Sequence, residues 1–217
     1  MRKDFKYLSQ IEYMQYTSLG YVRVLHAVPD APNVDIYAND KLIVENLAFG
    51  ELTKYLPVPE GTYTISLYVA GDKSKPVLQN TLTINKDKIM TIAAANTVNN
   101  IKLFAIPDTT MKNETNKSMV RFMHLSPNAP AVDITLPDGT IIFSNISYEQ
   151  LTQYIEVEPT TYNLQVRVAG TSNVVLTVPN VKLEPNRAYT IYAIGLVGGK
   201  PELQALLATD GISYNNY

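Results

Sequence analysis

The chain has 217 residues, with 20 acidic against 18 basic side chains and neither Cys nor Trp. A net charge of −2 offers no basic footprint for a polyanion, which excludes nucleic acid as a partner, and the lack of Cys excludes thiolate metal sites, cysteine nucleophiles and disulfides together. At roughly 150 residues per domain the length suits one large domain or two small ones, and no apolar stretch nears the ~20 residues that cross a bilayer as a helix.

Residues 1–20 read as an N-terminal arm. Met1-Arg2-Lys3 opens like a signal peptide, but Asp4, Lys6, Gln10, Glu12 and Gln15 interrupt the apolar region that such export needs. The arm carries Tyr7, Tyr13 and Tyr16, and Tyr214 and Tyr217 close the chain, in a sequence with 15 Tyr against 5 Phe. Tyrosine joins a large apolar face to a hydrogen-bonding tip, a combination favoured at interfaces. These five are therefore candidate interface residues. An arm of this kind packs on its own domain or adds a strand to a neighbouring subunit.

An internal repeat organises the rest. Val22-Arg23-Val24-Leu25-His26-Ala27-Val28-Pro29-Asp30-Ala31-Pro32-Asn33-Val34-Asp35-Ile36 returns 98 residues later as Val120-Arg121-Phe122-Met123-His124-Leu125-Ser126-Pro127-Asn128-Ala129-Pro130-Ala131-Val132-Asp133-Ile134, with nine of fifteen positions identical. After one inserted residue near Phe143 the offset becomes 99, pairing Leu52, Thr53 and Tyr55 with Leu151, Thr152 and Tyr154, and Thr91 with Thr190. Two homologous domains follow, over residues 21–108 and 119–217, joined by a polar linker at 109–118.

Within each copy the apolar period is two. Strands are expected over residues 22–25, 34–37, 42–44, 52–56, 63–69, 77–84, 89–95 and 101–106, with counterparts in the second copy. Turn residues separate them at 29–32, 39–40, 59–61, 71–72 and 85–87; the one helical hint is a turn at residues 45–50. Short strands at this spacing give an all-β fold of two tandem β-sandwiches, immunoglobulin-like or transthyretin-like, with the N-terminal extension.

The residues of the repeated motif are His26, Pro29, Pro32 and Asp35, answered by His124, Pro127, Pro130 and Asp133. A histidine with a carboxylate is the start of a catalytic pair or a metal site, yet no further His or Cys and no known nucleophile or zinc motif completes either one. The structural reading is that each His bonds the backbone of its Pro-x-Ala-Pro loop, where prolines leave carbonyls without nearby N–H partners. Asp30, Asp35 and Asp40 recur at a spacing of five, as calcium loops can. The second copy keeps Asp133 and Asp138 but has Asn128 for Asp30, so a turn-capping carboxylate is the expected role. No catalytic residue, cofactor or metal is assigned. Three Asn-x-Ser/Thr sequons begin at Asn113, Asn116 and Asn145 and carry little weight in an Asn-rich chain.

The motif from His26 to Tyr37, with Leu47-Ala48-Phe49-Gly50 and Pro59-Glu60-Gly61-Thr62-Tyr63, resembles the bacterial family known as domain of unknown function 4397. The second copy matches from His124 to Ile134 but carries Pro159-Thr160-Thr161-Tyr162 without the glycine. The resemblance implies tandem β-sandwiches in an exported or envelope-associated setting, and it implies no activity. The expected function is a non-enzymatic structural or interaction protein of the bacterial cell or spore surface, self-assembling through sandwich edges or the N-terminal arm. Deposition on a spore would need no signal peptide. Its partners are then copies of itself or other surface proteins. The alternatives are an envelope-associated carbohydrate- or ligand-binding module, and a cytoplasmic location.

Overall fold

A computed structural model describes residues 18–109 and 115–211. The chain divides into two compact units, each built on eight strands. The first holds β1 (Leu19–Ala27), β2 (Val34–Ala38), β3 (Lys41–Leu47), β4 (Leu56–Pro59), β5 (Gly61–Val69), β6 (Leu78–Ile84), β7 (Ile89–Ala95) and β8 (Lys102–Pro107). The second repeats them as β9 (Ser118–His124), β10 (Val132–Thr135), β11 (Ile141–Ile146), β12 (Ile155–Val157), β13 (Thr161–Val168), β14 (Val174–Lys182), β15 (Ala188–Ile194) and β16 (Gln204–Asp210).

The sheets of the first domain run β4-β1-β7-β8 and β3-β2-β5-β6, and those of the second run β12-β9-β15-β16 and β11-β10-β13-β14. An immunoglobulin sandwich places its first, second, fourth and fifth strands in one sheet. Here the first strand lies between the fourth and the seventh, so the order departs from the immunoglobulin arrangement. In the second domain β9 and β15 pair in parallel, Val120 opposite Tyr189 and Phe122 opposite Ile191.

Alternation accounts for the core. Along β13 the exposed Thr161 and Asn163 interleave with Tyr162 and buried Leu164, since neighbouring side chains on a strand point to opposite faces. Leu164 and Val166 then join Phe122, Val132, Ile134, Phe143 and Ile191 in the apolar layer of that domain. Between β2 and β3, Asn39 and Asp40 both take positive φ, 46° and 65°, the conformation of a two-residue hairpin turn that matches strand twist. A tyrosine braces the start of β5 and of β13: Tyr63 donates its hydroxyl to the Pro59 carbonyl at 2.7 Å and Tyr162 to that of Glu158 at 2.9 Å.

Two local expectations need correction. Residues 52–56 are not a strand: Leu52 makes an isolated bridge to Leu25, and β4 begins only at Leu56. The Thr53 hydroxyl accepts the Val24 N–H at 2.9 Å, taking the place of a backbone carbonyl and interrupting the ladder, and Thr152 does the same for Phe122. Residues 45–50 hold no helix. β3 runs on to Leu47, and the Glu51 N–H closes a turn on the Ala48 carbonyl at 3.0 Å.

Candidate functional site

His26 lies near the end of β1 and His124 at the end of β9, only 1% and 0% exposed. Their Nε2 atoms sit 3.1 Å from the Pro32 carbonyl and 3.2 Å from that of Pro130. A carbonyl only accepts, so Nε2 carries the hydrogen. In the second copy Nδ1 takes the Ser126 N–H at 3.3 Å, which requires the neutral imidazole. Pro29 and Pro127 occupy the second position of turns closed by Ala31 N–H on Val28 and Ala129 N–H on Ser126, where a fixed φ suits the bend. The four repeated prolines thus shape a loop that the histidine fastens to its strand.

Burial, opposed by the hydrogen bond to the proline carbonyl, holds the pKa of both imidazoles below the ordinary 6.5. The unfolded chain therefore takes up protons at a pH where the folded chain does not. This favours unfolding as pH falls below about 6.5, and the loss ends once the folded imidazole is also charged. Thermal unfolding should then show a plateau in Tm above neutrality and a decline on acidification. His26→Gln with His124→Gln keeps an N–H donor without titrating, and should flatten that decline between about pH 7 and pH 5. An unchanged slope would remove the histidines from the account.

Asp35 and Asp133, 8% and 6% exposed, face their loops. Asp35 accepts Asn46 N–H at 2.8 Å on one oxygen and Gly71 N–H at 2.9 Å on the other. Asp133 accepts Asn145 N–H at 2.7 Å and Gly170 N–H at 2.8 Å. Each donor sits where the chain is irregular: Asn46 and Asn145 have φ of 53°, Gly71 and Gly170 of 78° and 71°. Pairing between β2 and β3 slips next to Asp35, so the carboxylate supplies the acceptors that the bulged ladder lacks. The His and Asp of each repeat hold different segments and form no pair. Asp30 accepts Val98 N–H at 2.8 Å and Asp138 accepts Thr140 N–H at 2.9 Å. Among the described residues no group of three or more His, Asp or Glu is gathered as a metal would need.

A second duplicated constellation escaped the reading of the sequence. Arg23 Nε donates to Thr91 Oγ1 at 2.8 Å, and Thr91 and Tyr55 donate to Asp108 Oδ2 at 2.7 and 2.6 Å. The Arg23 guanidinium lies 3.7 Å from that carboxylate and 4.6 Å from the Tyr55 ring centre. In the second domain Arg121 Nε donates to Thr190 at 2.8 Å, Tyr154 to Asp210 at 2.7 Å, and Thr190 to the same Asp210 oxygen. Arg121 lies 3.8 Å from Asp210 and 4.4 Å from the Tyr154 ring. Arg, Thr and Tyr each recur in the repeat, and that recurrence was the available signal. Asp108 and Asp210 fall outside its aligned register. The ion pairs are buried, with side chains no more than 4% exposed, and so out of reach of a ligand.

The large apolar side chains that face solvent lie at the sheet margins. Among the described residues the exposed large hydrophobics are Leu42, Ile43, Val77, Ile141, Val174 and Leu207. Five are on the edge strands β3, β11, β14 and β16, and Val77 immediately precedes the edge strand β6. Tyr7, Tyr13, Tyr16, Tyr214 and Tyr217, the candidate interface tyrosines, lie outside the described residues, as do residues 110–114 of the linker.

A family model described as "Domain of unknown function (DUF4397)" matches residues 20–135 and 136–214. The two segments meet at the end of β10 rather than between the domains. No curated protein sequence matches the chain. Among solved structures, one described as "Alpha-glucan binding by a streptococcal virulence factor" is similar at 12% identity and a TM-score of 0.26, covering 91% of this chain and 100% of that one. That likeness is too slight to carry an argument.

Proposed function

From a chain that belongs to the DUF4397 family, defined without an activity, we propose a non-enzymatic structural or interaction protein of the bacterial cell or spore surface that associates with copies of itself through its sheet margins. The observation that carries this reading is the placement of exposed large hydrophobics on or beside edge strands. An edge strand presents unpaired N–H and C=O groups, and apolar side chains there favour pairing with another chain over solvation. The repeated His, Asp and Arg residues support it from the other side, because each is committed to holding backbone or to a buried ion pair.

Light scattering on the full chain after size exclusion tests the reading. The mass should exceed 24.1 kDa and rise with concentration, and Ile141→Lys with Leu207→Lys should reduce the larger species. A monomer at every concentration would remove self-association. Fractionation should place the protein with envelopes or spores; recovery only from vegetative cytoplasm would remove the surface assignment. Glycan-array binding by a strictly monomeric chain would put the carbohydrate-binding alternative in its place.

A further inference from the structure

The two domains differ in one respect that their shared topology does not require. Between β3 and β4, the margins of the two sheets in the first domain, lies a cleft of about 420 Å³ lined by Val24, Ala38, Ile43, Leu56, Val58 and Leu82 among others. The gap between the sheets of the second domain that overlaps this region in part, lined by Val120, Phe143, Val157, Tyr162 and Leu164 among others, holds about 20 Å³. The repeat supplies the reason position by position. Val24 is answered by Phe122, Ala38 by Leu136, and Val44, opposite Ile36, by Phe143, opposite Ile134. Phe122 and Phe143 belong to the second core and Leu136 packs against it. The first domain carries the smaller apolar side chain at each of these positions, and of them Val24 and Ala38 line the cleft.

Resting on the self-association reading, we propose that this cleft is the seat for the N-terminal segment, residues 1–17, of a second copy of the chain. The cleft is mostly apolar, with Lys41 also in its lining, and the segment contains Phe5-Lys6-Tyr7 and Ile11-Glu12-Tyr13, two triplets in which apolar and charged residues alternate as along a strand with one buried face. Of the flanking strands, β4 carries Pro57 and Pro59, which have no N–H to share. β3 has no proline, pairs only with β2 among the described residues and exposes Leu42 and Ile43 at 40% and 38%. A strand added to β3 would lay alternate side chains into the cleft.

Where the segment leaves the fold favours the neighbour as its host. Glu60 N–H binds the Ser18 carbonyl at 2.7 Å and Leu19 pairs with Pro59, so the chain departs at the rim of its own cleft. Doubling back from there requires a reversal, and of the residues that favour turns, Gly, Pro, Asn, Asp and Ser, residues 5–17 contain only Ser9. Arm into the next cleft is a head-to-tail contact between unlike surfaces, which propagates as a filament unless the rotation closes a ring.

Light scattering on full-length variants tests this. Val24→Phe with Ala38→Leu copies the filled second domain, Ile43→Asp charges the rim without entering the core, and Ile11→Asp with Tyr13→Asp alters the arm. Each should return the chain to monomer, and a synthetic peptide of residues 1–17 should disperse wild-type assemblies at least tenfold more effectively than a scrambled one. Assembly unchanged in the rim and arm variants overturns the inference while leaving association through other edges standing. A monomeric wild type overturns both readings. If that monomer also loses thermal stability in the arm variant, the segment folds onto its own cleft.

Discussion

Replacing Asp210 by Ala is expected to cost the second domain about 3–5 kcal/mol, the range found when one partner of a buried ion pair is removed. The residue accepts from Tyr154 and Thr190 and faces Arg121, so one truncation takes an acceptor from two hydroxyls and the counter-charge from a guanidinium in a site where Asp210 itself is 0% exposed. Removal of the counter-charge from a buried site is the larger part of that loss. Exchanging all four groups for apolar ones, Arg121→Met, Thr190→Val, Tyr154→Phe and Asp210→Leu, should therefore recover most of the stability, because a buried pair itself adds little beyond what good apolar packing supplies. Urea unfolding followed by tyrosine fluorescence reads both variants. A loss under about 1 kcal/mol for Asp210→Ala would mean that water reaches the cluster and that it does not hold β9, β15 and β16 together.

Asp133→Ala should come next in effect. It removes two charge-assisted hydrogen bonds, to Asn145 and Gly170, at about 1.5–3 kcal/mol each, for an expected loss of roughly 3–5 kcal/mol. Asp133→Asn retains one carbonyl acceptor but turns an amide N–H toward the other donor, so it should fall between wild type and Ala. Hydrogen exchange distinguishes a local anchor from general softening. The Asn145 and Gly170 amides should lose protection in Asp133→Ala well before those of β15, and uniform loss across the domain would contradict the anchoring role.

Much of this molecule is local and therefore legible. The Pro-x-Ala-Pro turn, the Asn39-Asp40 hairpin and the alternation along 63–69 each depend on residues a few positions apart, and duplication prints each of them twice. The His–loop hydrogen bond was within reach of the sequence for the same reason: His26 and Pro32 stand six residues apart. Leu52 to Leu56 misled because its apolar residues look like a strand, while the side chain of Thr53 occupies the ladder position. The Arg–Thr–Tyr–Asp clusters were illegible for another cause. Arg23 and Thr91 stand 68 positions apart and Tyr55 and Asp108 stand 53, and on a strand an isolated Arg or Thr reads as a solvent-facing residue.

The sequence by itself determined the duplication, the strand period and the turn chemistry, since backbone conformation at a turn or along a strand answers to its own residues and their near neighbours. Strand order, the buried ion clusters and the open cleft of the first domain were decided only by the tertiary structure. They depend on which distant side chains share a sheet and on whether their summed volumes fill the space between sheets. The exchange of Val24 and Ala38 for Phe122 and Leu136 is visible in the aligned repeats, yet it acquires meaning only when both prove to line one cleft.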